Sequence, residues 1–165
     1  MNGKTKLALI GFALSCLVSF MFVLIYKHNN EKIKYLGNIY DYEILDVANS
    51  YEHIFIIDEY NIIENILNIH GCYIKLGNSI NYVNNNYVLI NNKNEIYGIK
   101  TLSIKRPSAT EFFNDGFNYD NSGLHGYCKI YRFANEKELK IGVIIKEKNG
   151  NEYLIISNVI INGVR

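Results

Sequence analysis

The sequence predicts an α+β protein: one apolar N-terminal transmembrane helix, then one or two helices packed on a five- to six-stranded antiparallel sheet. Three observations carry this expectation. Residues 7–26, between Leu7 and Tyr26, read LALIGFALSCLVSFMFVLIY without a single charge. Residues 58–71, DEYNIIENILNIHG, space their apolar side chains as a helix does. From Cys72 onward, short β-rich runs alternate with asparagine-rich breaks.

The apolar run comes first. About 20 residues of helix rise roughly 30 Å, the thickness of a bilayer's hydrocarbon core. Lys4 and Lys6 precede the run, and Lys27, Lys32 and Lys34 follow it, so lysine counting does not set orientation. A six-residue leader before a long apolar run reads as a signal anchor. The expected layout is a cytoplasmic start (1–6), a membrane span (7–26), a juxtamembrane linker (27–38) and an extracytoplasmic domain (39–165). A cleaved signal peptide fits less well, because the run ends in LIYKHNN without a small-residue exit. A lipoprotein signal ending at Cys16 fits poorly too, because ALSC lacks the usual pattern and the run continues past it.

In 58–71, Ile62, Ile63, Ile66, Leu67 and His70 fall on one helical stripe. Asp58 suits an N-cap, and Gly71 suits the position just past a helix end. Beyond it the β-rich runs are 72–77, 80–83, 87–91, 95–105, 127–134, 139–148 and 152–161. Asn149-Gly150 between two such runs is a strong hairpin signal. Helices on one face of an antiparallel sheet follow from that order.

Composition excludes some classes. The formal net charge is +1, so no basic excess points to direct nucleic-acid binding. Apolar residues make up 48%, too many for a disordered chain. Charge is uneven: 31–72 hold two basic and eight acidic side chains, and 73–165 hold twelve basic and eight acidic. Such a division suits two faces that attract within one fold, or a polar docking surface.

The residues with chemical potential cluster in two echoing stretches, IHGCY (69–73) and LHGYC (124–128). Two histidines and two cysteines are a set zinc accepts, but H-x-C and H-x-x-C are unusual ligand steps. No metal site is expected. The stretch 118–129 resembles a calcium loop in its first half, yet its twelfth position is Lys129 rather than a glutamate. His125 near Cys128 makes no catalytic pair by adjacency alone, and no phosphate loop or hydrolase motif is present. Neither an enzyme nor a cofactor is expected. In an exported body Cys72 and Cys128 would be the two available thiols, and a disulfide between them is the favoured reading. His53, His70 and His125 are candidate pH-responsive residues. The turn-rich stretch 114–126 is a candidate binding loop, with Asp115, Phe117, Tyr119 and Asp120 as its contact residues.

With the span at 7–26, a body of about 130 residues and the pair Cys72/Cys128, the layout resembles small single-pass inner-membrane accessory proteins. Examples are the ToxS-type proteins and the PsaF/MyfF-type regulators of fimbrial genes. The resemblance implies a bacterial inner-membrane protein with its C-terminal domain in the periplasm. That domain would bind and stabilise a membrane-bound transcription activator or sensor, and respond to pH or a small amphiphilic ligand. An apolar groove between helix and sheet would be the ligand's natural place. Two other readings stay open: an envelope immunity or inhibitor protein against a toxin, and a bitopic secretion-system subunit.

Overall fold

A computed structural model describes residues 3–30, 33–80, 84–147 and 149–162. The chain divides into two compact units, Met1–Lys32 and Ile33–Arg165.

The first unit is one helix, α1 (Gly3–Asn30). Among the described residues no helix is long and apolar enough to cross a membrane. The expected signal anchor at 7–26, the inner-membrane placement and the periplasmic location of the body are corrected on that ground.

The second unit is mostly strand rather than α+β: its described strands total 70 residues, and two α-helices are described in the whole chain. Its strands are β1 (Lys34–Asn38), β2 (Glu43–Ile44), β3 (His53–Ile63), β4 (Ile66–Lys75), β5 (Asn85–Ile90), β6 (Glu95–Gly98), β7 (Lys100–Ile104), β8 (Gly123–Lys129), β9 (Glu138–Lys146) and β10 (Glu152–Asn162). Its one α-helix among the described residues, α2 (Pro107–Phe113), is short and starts on a proline. The expected run 80–83 lies mostly outside the described residues.

Two sheets form instead of one. The larger has the order β1-β6-β5-β9-β10-β2 and the smaller β3-β4-β8-β7. All pairs are antiparallel except β2 with β10. The sheets share a corner: the chain leaves the larger sheet after β6, turns at buried Ile99 and enters the smaller one as β7. At that corner Ile99 N donates to the Tyr87 carbonyl at 3.1 Å. Fully buried Leu67, Ile69, Tyr87, Leu89, Leu124, Ile141, Val143 and Ile155 fill the space between the sheets. Such strands alternate inward and outward with period two.

The predicted helix 58–71 is a hairpin. β3 and β4 pair antiparallel through Ile63↔Ile66. Glu64 and Asn65 make the turn, with φ +50 and +63. Both central residues of a two-residue hairpin turn take positive φ, and asparagine tolerates that conformation. The helical spacing of the isoleucines was a coincidence of two strands read end to end. Their β-branched side chains favour the pleated surface, and Leu67, Ile69 and Tyr73 face the core at every second position.

Candidate binding site

The outer face of the smaller sheet gathers the residues of interest. Alternation sends Asn68, His70, Cys72 and Ile74 of β4 outward, with His125, Tyr127 and Lys129 of β8 beside them. α2 and the chain after it cover one end, burying Ala109 and Tyr119 against Cys72 and Ile74. The other end is open.

The two echoing stretches meet here. β4 and β8 run antiparallel with His70 directly opposite His125. The two imidazoles stack with centroids 4.2 Å apart and planes 9° from parallel. Each is followed by a glycine for a reason on the opposite face. Tyr87 crosses beneath, fully buried. A Cβ on Gly126 would come within 2.6 Å of the Tyr87 Cδ2, and one on Gly71 would run into the Ile56 carbonyl oxygen and within 2.6 Å of the Tyr87 hydroxyl. The His-Gly echo therefore stacks two imidazoles outside and admits one phenol inside.

Both polar groups of this arrangement are incompletely satisfied. The Tyr87 hydroxyl and the His125 Nε2 are buried without a hydrogen-bond partner. Burial, then the charge of neighbouring His70, holds the His125 pKa below its ordinary value. Burial drives the Tyr87 phenol pKa well upward. Parallel rings direct their in-plane lone pairs side by side rather than toward one point. Among the described residues no group of three or more His, Cys, Asp or Glu side chains is arranged to hold a metal.

The expected disulfide is corrected. Cys72 and Cys128 are free and buried. Cys128 faces the core opposite Leu67, whereas Cys72 faces outward five residues further along β4. Five residues of strand span roughly 17 Å, and a bridge needs Cα atoms within about 7 Å. Burial raises both thiol pKa values, pushing Cys128 up to about 12. Neither thiol is poised as a nucleophile.

His53 stands apart from the stacked pair. It lies at the start of β3 opposite Lys75, and its Nδ1 sits 2.7 Å from the Tyr73 hydroxyl. Burial and then Lys75 lower its pKa.

The 114–126 stretch is built as a clamp. The Tyr119 hydroxyl donates to Asp115 Oδ2 at 2.6 Å and accepts from Gly77 N at 2.9 Å. Thr110 Oγ1 donates to Asp120 Oδ1 at 2.6 Å. Of the four expected contact residues, Phe117 alone shows a large apolar side chain to solvent.

Sequence reasoning missed the Asp58–Arg106 bridge. The β3–β4 register slips between Ile57 and Glu59, which leaves Asp58 as the extra residue of a bulge. Its carboxylate takes both terminal nitrogens of Arg106, at 2.6 and 3.1 Å. Asp58 lies on one edge strand and Arg106 follows the other, so the bridge crosses the whole sheet. No local pattern announces a pair 48 residues apart.

The free edge of β3 was missed as well. No strand pairs with its outer side among the described residues. Along its eleven residues Ile56, Tyr60, Ile62 and Ile63 are each at least 40% exposed. Near its end the Tyr60 hydroxyl reaches the Ile160 carbonyl of β10 at 3.5 Å, yet the two strands do not pair. The sandwich is closed at the β6–β7 corner and open at this seam. Comparison with family models, with curated proteins and with solved structures finds no match.

Proposed function

We propose that the Ile33–Arg165 unit is a non-catalytic regulatory domain that binds a protein partner by accepting an extended segment along β3. The free edge of that strand carries the reading. Natural sheets blunt long apolar edges with charged residues, proline, bulges or short strands. β3 has no lysine, arginine or proline over eleven residues, and its bulge carries Asp58. Beyond that bulge the stretch Tyr60–Ile63 is uncharged and has no strand on its outer side among the described residues, which suits it to strand addition, where backbone hydrogen bonds give affinity and alternate side chains give specificity. The partner is then defined by chemistry: an extended, β-branched segment, neutral or basic where it passes Glu59. The buried thiols and the stacked imidazoles support a binding role over a catalytic one.

The two-residue turn makes Ile63↔Ile66 and Asn61↔Asn68 the hydrogen-bonded pairs. The N–H groups of Tyr60 and Ile62 therefore point away from β4. Ile62→Pro deletes one outward donor, and Ile62→Lys places a charge on the edge. In native cells the wild-type chain should co-purify with a stoichiometric partner that both variants lose while unfolding at the wild-type temperature. Retention of the partner by both variants would overturn the edge as the site. Absence of any stoichiometric partner would overturn the binding role itself.

A further inference from the structure

A cleft of about 320 Å³ opens on the outer face of the smaller sheet, between the Asp58–Arg106 bridge and His70, with Gly71 and Gly123 as its floor. Its charges are segregated. Asp58 and Glu59 stand on the β3 rim; Lys105 and Arg106 stand on the rim that follows β7. Asp58 and Arg106 neutralise each other only in part. The guanidinium has five N–H donors, of which Asp58 takes two. The Asp58 carboxylate likewise keeps lone pairs to offer. Glu59 and Lys105 have no ion-pair partner among the described residues.

This pattern selects its ligand by charge. A simple anion would meet Lys105 and Arg106 favourably but stand against Asp58 and Glu59. A simple cation would meet the reverse. An apolar or amphiphilic molecule would strip water from four charged side chains without replacing their hydrogen bonds. A short zwitterion satisfies both rims, lying antiparallel to the bridge. Its carboxylate takes the spare donors of the planar Arg106 fork and the Lys105 ammonium. Its ammonium takes the remaining lone pairs of Asp58 and the Glu59 carboxylate. The volume is at the small end for a ligand site, the size of a metabolite.

We propose that this cleft binds a free α-amino acid, with its carboxylate at Lys105 and Arg106 and its ammonium at Asp58 and Glu59. The proposal does not rest on strand addition at the β3 edge, although Glu59 of that strand serves both. Ligand-observed NMR on the full chain, with the proteinogenic amino acids as probes, tests it, with acetate, methylammonium and inorganic phosphate as single-charge controls. At least one amino acid should bind about tenfold more tightly than each control. Glu59→Gln and Lys105→Gln should each weaken that binding about tenfold without moving the unfolding temperature, since both side chains lack ion pairs. The proposal fails if no amino acid binds at about 10 mM. It also fails if acetate or phosphate binds as well as the amino acid, or if neither substitution changes the affinity.

Discussion

His70 and His125 stack at 4.2 Å from directly paired positions on β4 and β8. A proton on His125 brings a positive charge against the His70 ring. His125 and His53 both have folded pKa values lowered from 6.5. Between that value and the folded ones the unfolded chain binds more protons, so stability rises with pH there. It is full above about pH 7.5 and declines as pH falls through the histidine window. Urea midpoints measured from about pH 7.5 to pH 5 should fall, and His53→Asn with His125→Asn should flatten the decline. A wild-type midpoint constant over that range would contradict the assignment.

A second decline belongs to carboxylates. Hydrogen bonds hold Asp115 (from Tyr119), Glu95 (from Asn91) and Glu147 (from Lys75) below their ordinary pKa values. Groups of this kind stabilise above the unfolded pKa and lose that contribution as pH drops through the folded one. Asp115→Asn should reduce the loss below about pH 4.5 while leaving the histidine window unchanged.

The thiols provide a direct check on the strand register. Cys72 and Cys128 should resist alkylation in the native chain and both react after denaturation. The mass-tag count should be the same with and without a reductant. A count that rises by two per chain only after reduction would mean that the two residues share a bridge, and that the β4–β8 register is wrong.

Tyr87 beneath Gly126 predicts a strong coupling. Gly126→Ala forces a methyl against the ring and should cost about 2 kcal/mol or more. Combined with Tyr87→Leu, the same substitution should cost less than the sum of the two single changes, because both act on one space. Additive losses would show that the ring does not lie there. Tyr87→Phe removes a buried hydroxyl without a partner. It should be neutral or stabilising by about 1 kcal/mol.

The Asp58–Arg106 bridge is bidentate, but its side chains are 38% and 33% exposed. Solvent screening limits its worth, so Arg106→Ala should cost about 1 kcal/mol or less. A loss several times larger would mean that the bridge fastens the α2 cover to the sheet rather than only crossing it.

Local chemistry in the chain announced the β-rich runs after Cys72 and the Asn149-Gly150 turn. These are local matters of β-branching, alternation and turn chemistry. It misled at 58–71, where Ile62, Ile63, Ile66 and Leu67 satisfy a helix and a hairpin equally. The turn at Glu64-Asn65 lacks the glycine that would have announced it. It misled again on Cys72 and Cys128, because face and register decide whether two thiols can meet, and neither is written in their spacing. Only the tertiary structure set His70 against His125, drew Arg106 across the sheet to the bulged Asp58 and left β3 without a neighbour. Each depends on which strands pair and in what register. That is fixed by burying Tyr87 and the isoleucines between two sheets, a global packing choice that no short stretch of the chain encodes.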